Sequence, residues 1–325
     1  MCEKVSVALS TYNGARYLRA QLDSIAKQTR IPDELIICDD CSEDNSVDVA
    51  LEFQKCAPFC VNIYTNDHNL GYAQNFSKTL GMCSGDIVFM CDQDDVWLPE
   101  KINQVLSKFH SEPKTQLLIH DIDYCKNDLT LIGQTKIERM RDVFDLQRDY
   151  VVGMATAVRA GFLRLCLPIP DSHGVTHDSW LHQCAVAVGC KNIMSEVLAL
   201  YRRHDSNATL GSSLNVDYVT TSEHFKNNTS FATNVKTLSS LKEDIFNLAD
   251  WLVKSKKSIV KLGLVSDHEM ECLIAKELNH VRMSKIVAMR RYQRILPAFK
   301  LYRMGGYRVC GGAVRVLHDI FRGSM

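Results

Sequence analysis

The sequence predicts an α/β fold: an open, mostly parallel sheet with helices on its faces, followed by a helical C-terminal region. Three observations carry the prediction. Over the first 125 residues, short β-branched runs alternate with amphipathic helical patterns, as in chains that cover a sheet with helices. Between about 131 and 201 the alternation loosens, and Pro168 and Pro170 interrupt it. Beyond Ser206 a stretch rich in Asn, Ser and Thr gives way to long helical periodicity.

Element by element, β-branched and apolar runs place strands over 5–10, 34–39, 61–65, 87–91 and 117–123. Helical periodicity fits 16–28, 46–55, 72–82 and 100–110. Pro99 stands near the first turn of the last, where its missing N–H is tolerated. A further helix is expected over 179–188, a final strand over 197–201, and helices over 236–256 and 267–291. The expected plan is a first domain over 1–213, with halves meeting near 125, and a helical region over 214–325.

Composition narrows the classes of partner. With 325 residues, 46% hydrophobic and 23% charged, the chain falls in the range of folded globular proteins. Lys+Arg and Asp+Glu each number 38, so no bulk positive field argues for nucleic acid. The 13 cysteines include a single C-x-x-C, Cys38 to Cys41, with no second such pair and no zinc-like His spacing, and read as reduced, mostly buried thiols. No run approaches the roughly 18 apolar residues that span a bilayer, and the first residues lack a signal-peptide core. A reducing, cytoplasmic setting is expected, with the sequons at Asn75, Asn207 and Asn228 as chance matches.

The chemistry gathers at strand ends. In open parallel sheets, ligands bind beyond the carboxyl ends of the strands, where helix N-termini offer free N–H groups. The first strand ends in Ser10-Thr11-Tyr12-Asn13-Gly14, the second in Asp39-Asp40-Cys41-Ser42, and the fourth in Asp92-Gln93-Asp94-Asp95. Any one of these alone is equally a turn or a helix cap. Together they bring five carboxylates to one edge, which repel unless a cation balances them. Asp92 and Asp94, in D-x-D spacing, offer hard oxygens that suit Mn²⁺ or Mg²⁺ and leave positions open for substrate phosphates. The implied ligand is a diphosphate.

The ordered set VSVALSTYNG at 5–14, PDELIICDDCS at 32–42 and GDIVFMCDQDDVWLPEK at 85–101 resembles the family 2 glycosyltransferases of GT-A fold. The resemblance covers about 4–211 and is closest to bacterial surface-polysaccharide members, including rhamnosyltransferase-like ones. It implies an inverting enzyme that moves a sugar from a UDP- or dTDP-linked donor to a hydroxyl of a glycan or lipid-linked glycan. By the same resemblance Thr11, Tyr12, Asn13, Asp39, Asp40 and Asp92 match nucleotide-binding positions. Asp92 and Asp94 match the metal position, with Asp95 beside them as a donor or acceptor contact.

Further along, VTHDSW at 175–180 resembles the family's catalytic motif. It implies that Asp178 is the base taking the acceptor's proton, with His177 and Trp180 near donor or acceptor; a helix cap is the plainer account of Asp178. In LYRRH at 200–204, His204 is a candidate metal or phosphate ligand, and Arg202 or Arg203 a candidate partner of the diphosphate. Gly153 stands where the resemblance brings backbone close to the donor sugar. Asp121 and Asp123 either face the sugar or mark a strand end, and Trp97, Trp180 and Tyr201 are sugar-stacking or core residues. The rival readings are a non-catalytic nucleotide-sugar-binding protein and another metal-dependent enzyme of nucleotide diphosphates.

The tail departs from the neutral average. Residues 285–325 carry nine Lys and Arg against one acid, Asp319, interleaved with apolar residues. Such a basic amphipathic segment is expected on an anionic membrane surface, here the inner face of the plasma membrane, or else in a subunit contact.

Overall fold

Seven buried residues, Val5–Thr11, form the central strand β1, as a strand covered on both faces requires. The computed structural model describes residues 3–142, 144–172, 175–204, 235–287, 289, 291–307 and 312–321. In it β1 pairs in parallel with β2 (Glu34–Asp39) and β4 (Ile87–Cys91), and β2 with β3 (Cys60–Thr65). Thr11 lies opposite Asp39, and Leu9 opposite Cys91. That register brings the three polar strand ends to a common edge.

Helices α1 (Ala15–Ala26), α2 (Ser46–Gln54) and α3 (Tyr72–Gly81) make the crossovers between these strands. Leu18, Leu22 and Ile25 of α1, at i, i+4 and i+7, are fully buried, so this helix is held by one apolar stripe.

Beyond β4 the sheet changes character. Strand β8 (Thr156–Arg159) lies between β4 and β6 (Leu117–Cys125), antiparallel to both. Strand β9 (Lys191–Arg202) runs parallel to β6, and the two-residue β5 (Val96–Trp97) pairs antiparallel with β9. Strand β7 (Leu131–Thr135) pairs with β6 off the main path. The order β3-β2-β1-β4-β8-β6-β9-β5 is therefore parallel in its first half and mixed in its second. The connecting helices are α4 (Lys101–Ser111), α5 (Lys136–Met140), α6 (Leu146–Asp149), α7 (Ala160–Cys166) and α8 (His177–Ala187).

A lysine is enclosed within this core. Lys101 is fully buried; its Nζ donates to the Met154 carbonyl at 2.6 Å and lies 3.7 Å from the centre of the Trp97 ring. Burial pulls its ammonium down to about 7, against the opposing influence of Cys91, Asp95 and Asp92.

The chain divides into two compact units, the first over 1–171 and 176–221, the second over 172–175 and 222–325. The second contains α9 (Val235–Lys261), α10 (Asp267–Val287), α11 (Arg291–Arg303) and α12 (Gly312–Phe321). Gly263, at φ +69°, turns α9 into α10, and Ser266 with Glu269 caps the latter reciprocally. The single helix expected over 267–291 is interrupted. Arg294 of α11 donates through Nε to the Met289 carbonyl at 2.8 Å, satisfying a group freed at the break. Met283, Ile286, Ala298, Leu301, Tyr307, Val316 and Ile320 form a small core of their own.

The boundary expected at 213, the polar stretch over 206–234 and Asn207 and Asn228 lie outside the described residues. Asn75 is buried, donating to Ser10 Oγ at 2.5 Å and the Cys38 carbonyl at 2.9 Å. Among the described residues no helix is long and apolar enough to cross a membrane.

Candidate active site

The loop after β1 is pinned from two sides. Asn13 takes a positive φ of 47°; its N–H donates to Ser42 Oγ at 2.9 Å and its Oδ1 accepts from the Glu43 N–H at 2.8 Å. On the other side Gln93 Oε1 accepts from Thr11 Oγ1 at 2.6 Å and the Tyr12 N–H at 2.8 Å, while its Nε2 donates to the Tyr12 carbonyl at 3.1 Å. A Cβ at Gly14 would lie 2.1 Å from Gln93 Oε1. Glycine is what this close approach demands.

The two carboxylates after β2 have separate tasks. Asp39 accepts from the Ser42 N–H at 2.8 Å and Ser42 Oγ at 2.5 Å. Asp40 accepts from the N–H groups of Leu70 and Gly71 at 2.8 and 2.9 Å and from Asn66 Nδ2 at 2.7 Å, fixing the loop into α3. Asp40 and the exposed Tyr12 line a cavity of about 610 Å³. Asp39 and Asn13, expected at the nucleotide, do not line it: their side chains bond to Ser42 and Glu43.

The acidic motif after β4 lies along that cavity. Asp92 and Asp94 line it, and Asp94 Oδ2 is 2.8 Å from His204 Nε2. Burial, then Asp94 and Asp178, push the Asp92 carboxyl up to about 8. The three candidate ligands Asp92, Asp94 and His204 are not gathered into one set; among the described residues no group of three His, Cys, Asp or Glu is placed to hold a metal. The donors nonetheless fit Mn²⁺ or Mg²⁺, which are held through one or two carboxylates with water and phosphate completing the shell. The crowding at Asp92 is of the kind a cation relieves.

The start of α8 lines the same cavity. Thr176 is its cap, accepting from the Ser179 N–H at 3.1 Å while the Thr176 N–H donates to Ser179 Oγ at 3.0 Å. This places His177 and Asp178 in the first turn, where the helix dipole favours negative charge. Asp178 Oδ1 accepts from Thr176 Oγ1 at 2.5 Å and the Ser179 N–H at 2.8 Å. Burial alone would raise this carboxyl; His177, the Thr176 hydroxyl, His182 and the Ser179 N–H outweigh it and hold the group below its ordinary value. His177 stacks on Phe76 at 3.8 Å between ring centroids, and burial lowers its pKa. Gly153 completes this wall: a Cβ there would lie 2.8 Å from His177 Nε2.

Several expected residues turn away from the cavity. Asp95 is buried behind the motif, its Oδ1 accepting from the Arg202 N–H at 2.9 Å. Arg202 donates through Nε to the Asp94 carbonyl at 2.8 Å, and Arg203 lies 4.3 Å from the centre of the Tyr124 ring. Neither arginine lines the cavity. Trp180 is buried, donating to the Cys166 carbonyl at 2.7 Å, and Trp97 is core. Tyr201 does line the cavity. Asp121 accepts from the Ile122 and Ile137 N–H groups at 2.8 and 3.0 Å, a structural task, and Asp123 is likewise absent from the lining.

Sequence reasoning passed over Gln93 and Lys136. Lys136 is the one lysine or arginine among the described lining residues. Burial brings its ammonium down to about 8, opposed by Asp178 and Asp121. The signal that could have found it is the capping box formed by Thr135 and Glu138, which opens α5 one residue before Lys136.

The model of the family "Glycosyl transferase family 2" matches residues 6–167. An uncharacterized glycosyltransferase of Nostoc is 30% identical over 63% of this chain and 66% of its own length. The Escherichia coli enzyme WfgD, a UDP-Glc:alpha-D-GlcNAc-diphosphoundecaprenol beta-1,3-glucosyltransferase, is 32% identical over 32% of this chain and 40% of its own. The matched segment thus spans less than two thirds of either relative. Residues 1–349 of Staphylococcus aureus TarS, solved with UDP, align at a TM-score of 0.58 and 14% identity over 98% of this chain and 89% of that one. The likeness to TarS is one of fold, in keeping with the mixed α/β sheet.

Proposed function

Because the chain belongs to glycosyl transferase family 2, we propose that its first unit transfers a sugar from a UDP- or dTDP-linked donor to an acceptor hydroxyl, inverting the anomeric centre. The observation that carries this reading is the cavity itself, which Asp92, Asp94 and Asp178, the last at a helix start, line together. Asp92 and Asp94 would hold Mn²⁺ or Mg²⁺, which supplies charge neutralisation for the departing diphosphate. The exposed Tyr12 ring offers a face to the base, beside the loop that Asp40 fixes. Asp178 is the base: with Oδ1 committed to Thr176 and Ser179, Oδ2 receives the proton of the attacking hydroxyl. A single carboxylate in that position suits one displacement and hence inversion.

The acceptor we propose is a lipid-linked glycan of cell-surface polysaccharide assembly, a class supported by the acceptor named for WfgD. The unpaired cysteines among the described residues support a reducing, cytoplasmic setting. Calorimetry with UDP, dTDP, GDP and CMP tests the donor site directly. Binding of UDP or dTDP that requires Mn²⁺ is the expected result; absence of pyrimidine-diphosphate binding with metal present overturns the reading.

Gly153→Ala tests the catalytic wall. The added methyl meets His177 Nε2 at 2.8 Å, and the stack on Phe76 limits how far the ring can retreat. A displacement near 1 Å beside Asp178 is expected to lower kcat by about 10²-fold, with nucleotide affinity unchanged. Equal kcat for the two proteins would show that this contact does not position the base.

A further inference from the structure

Among the described residues, helix α11 buries one face and exposes another that is apolar. Arg294, Ala298 and Leu301, at i, i+4 and i+7, are buried, and Ala298 and Leu301 belong to the small core of the second unit. Ile295, Phe299 and Tyr302 have the same spacing one residue on, and with Leu296 they form a second stripe about a quarter-turn or more away. Leu296 is 83% exposed, Phe299 58% and Ile295 51%. Met304, just beyond the helix, is 67% exposed, and Leu317 of α12 is 56% exposed. Scattered exposed apolar residues are ordinary, whereas a continuous stripe on one helix is a surface in want of a partner.

Charge identifies the partner. Exposed Lys300 and Arg303 flank the stripe. Residues 285–325 contain a single acid, and Asp319 is turned inward: its side chain is fully buried and pairs with Arg315 at 3.0 Å. A second copy of this face would oppose basic rim to basic rim, which disfavours a two-fold self-contact. An anionic bilayer surface instead takes the apolar stripe into its headgroup boundary and attracts Lys300 and Arg303. Among the described residues no helix is long and apolar enough to cross a bilayer, so the contact suits a helix lying in the interface plane.

We propose that the exposed face of α11, formed by Ile295, Leu296, Phe299 and Tyr302 and flanked by Lys300 and Arg303, docks the protein onto anionic membrane surfaces. The inference goes beyond the transfer reading and stands without it, since it uses no residue of the cavity.

The test is flotation of the full chain with vesicles of phosphatidylcholine alone and of phosphatidylcholine with phosphatidylglycerol. The intact protein is expected to float with the anionic vesicles, less so at high salt, and to remain with the soluble fraction beside the neutral ones. Leu296→Glu with Phe299→Glu, both at exposed positions, is expected to lower the bound fraction by about tenfold or more. Lys300→Glu with Arg303→Glu is expected to abolish the preference for anionic lipid. Thermal melting and UDP calorimetry on the same proteins separate the outcomes. Loss of flotation with melting and UDP binding intact supports docking through α11. Absent flotation of the intact chain, or flotation of both variants equal to that of the intact chain, overturns it whatever the UDP result. A dimer that the apolar variant dissociates, with no lipid binding, assigns the face to a second copy and overturns it as well.

Discussion

Asp178→Asn is expected to lower kcat for sugar transfer by about 10²- to 10⁴-fold, with little change in nucleotide affinity. The amide keeps the shape of the carboxylate, and its oxygen can still accept from Thr176 Oγ1 and the Ser179 N–H. The helix keeps its cap, because Thr176 serves that role. What the amide cannot do is take a proton. The pH profile gives a second readout. The folded-state pKa of Asp178 is held below its ordinary value, so the group stays ionised at neutral pH, and at saturating Mn²⁺ the acid limb of kcat/KM should lie below the ordinary aspartate range. The sign for stability is the same: the ionised carboxylate stabilises the fold above its unfolded pKa, and that contribution is lost as pH falls through the folded value. An acid limb near pH 6.5, the ordinary histidine value, would assign the proton to a different group. Full turnover by the variant would leave Asp178 a structural residue. No turnover by the intact chain with any pyrimidine donor would favour the non-catalytic binding reading.

Asp94→Ala is expected to have an effect of similar size by a different route, removing Mn²⁺-dependent nucleotide binding and lowering kcat/KM by about 10³-fold or more. The substitution deletes one of the two acidic-motif carboxylates that line the cavity and removes the oxygen 2.8 Å from His204 Nε2. It also relieves Asp92, whose carboxyl burial and the charges of Asp94 and Asp178 push up to about 8. In the intact, metal-free protein a raised carboxyl favours the fold fully below its unfolded pKa, and that contribution is lost as pH rises through about 8. A metal ion must displace the same proton, so Mn²⁺ affinity should climb with pH and level off near 8. Calorimetry in buffers of different ionisation enthalpy measures the released proton. Mn²⁺ affinity that ignores pH, or Mn²⁺-dependent nucleotide binding that survives in Asp94→Ala, would remove Asp92 and Asp94 from the metal site.

The parts of the fold that the sequence made legible are those where burial is repetitive. Strand β1 reads as a strand because all seven of its residues are buried, and α1 reads as a helix because Leu18, Leu22 and Ile25 recur on one face. Strands β5, of two residues, and β8, of four, are too short for any period to register. They exist because neighbours pair with them, a tertiary cause that local pattern does not carry. The same limit hides the antiparallel pairing beyond β4, where β8 runs opposite to both β4 and β6.

The site divides along similar lines. That Asp92, Asp94 and Asp178 would line one cavity was legible because their positions follow from strand and helix ends. Arg202 was not, because facing is decided by register. Tyr201 looks into the cavity, so its neighbour on the strand looks the other way. Trp180 and Asp95 carry chemistry that suits a ligand but serve the interior, a distinction that depends on contacts from Cys166 and Arg202.

The middle letter of the acidic motif is often treated as a blank. Here it has a definable meaning. Thr11 Oγ1, the Tyr12 N–H and the Tyr12 carbonyl require an acceptor and a donor on one planar group at one reach from the chain. Glutamate has the reach but, when ionised, no donor; asparagine has the donor but is a methylene short. At position 93 the vocabulary therefore narrows to glutamine, and a library randomised there should return nearly the same word from either direction of selection, for donor binding or for folding of the loop after β1.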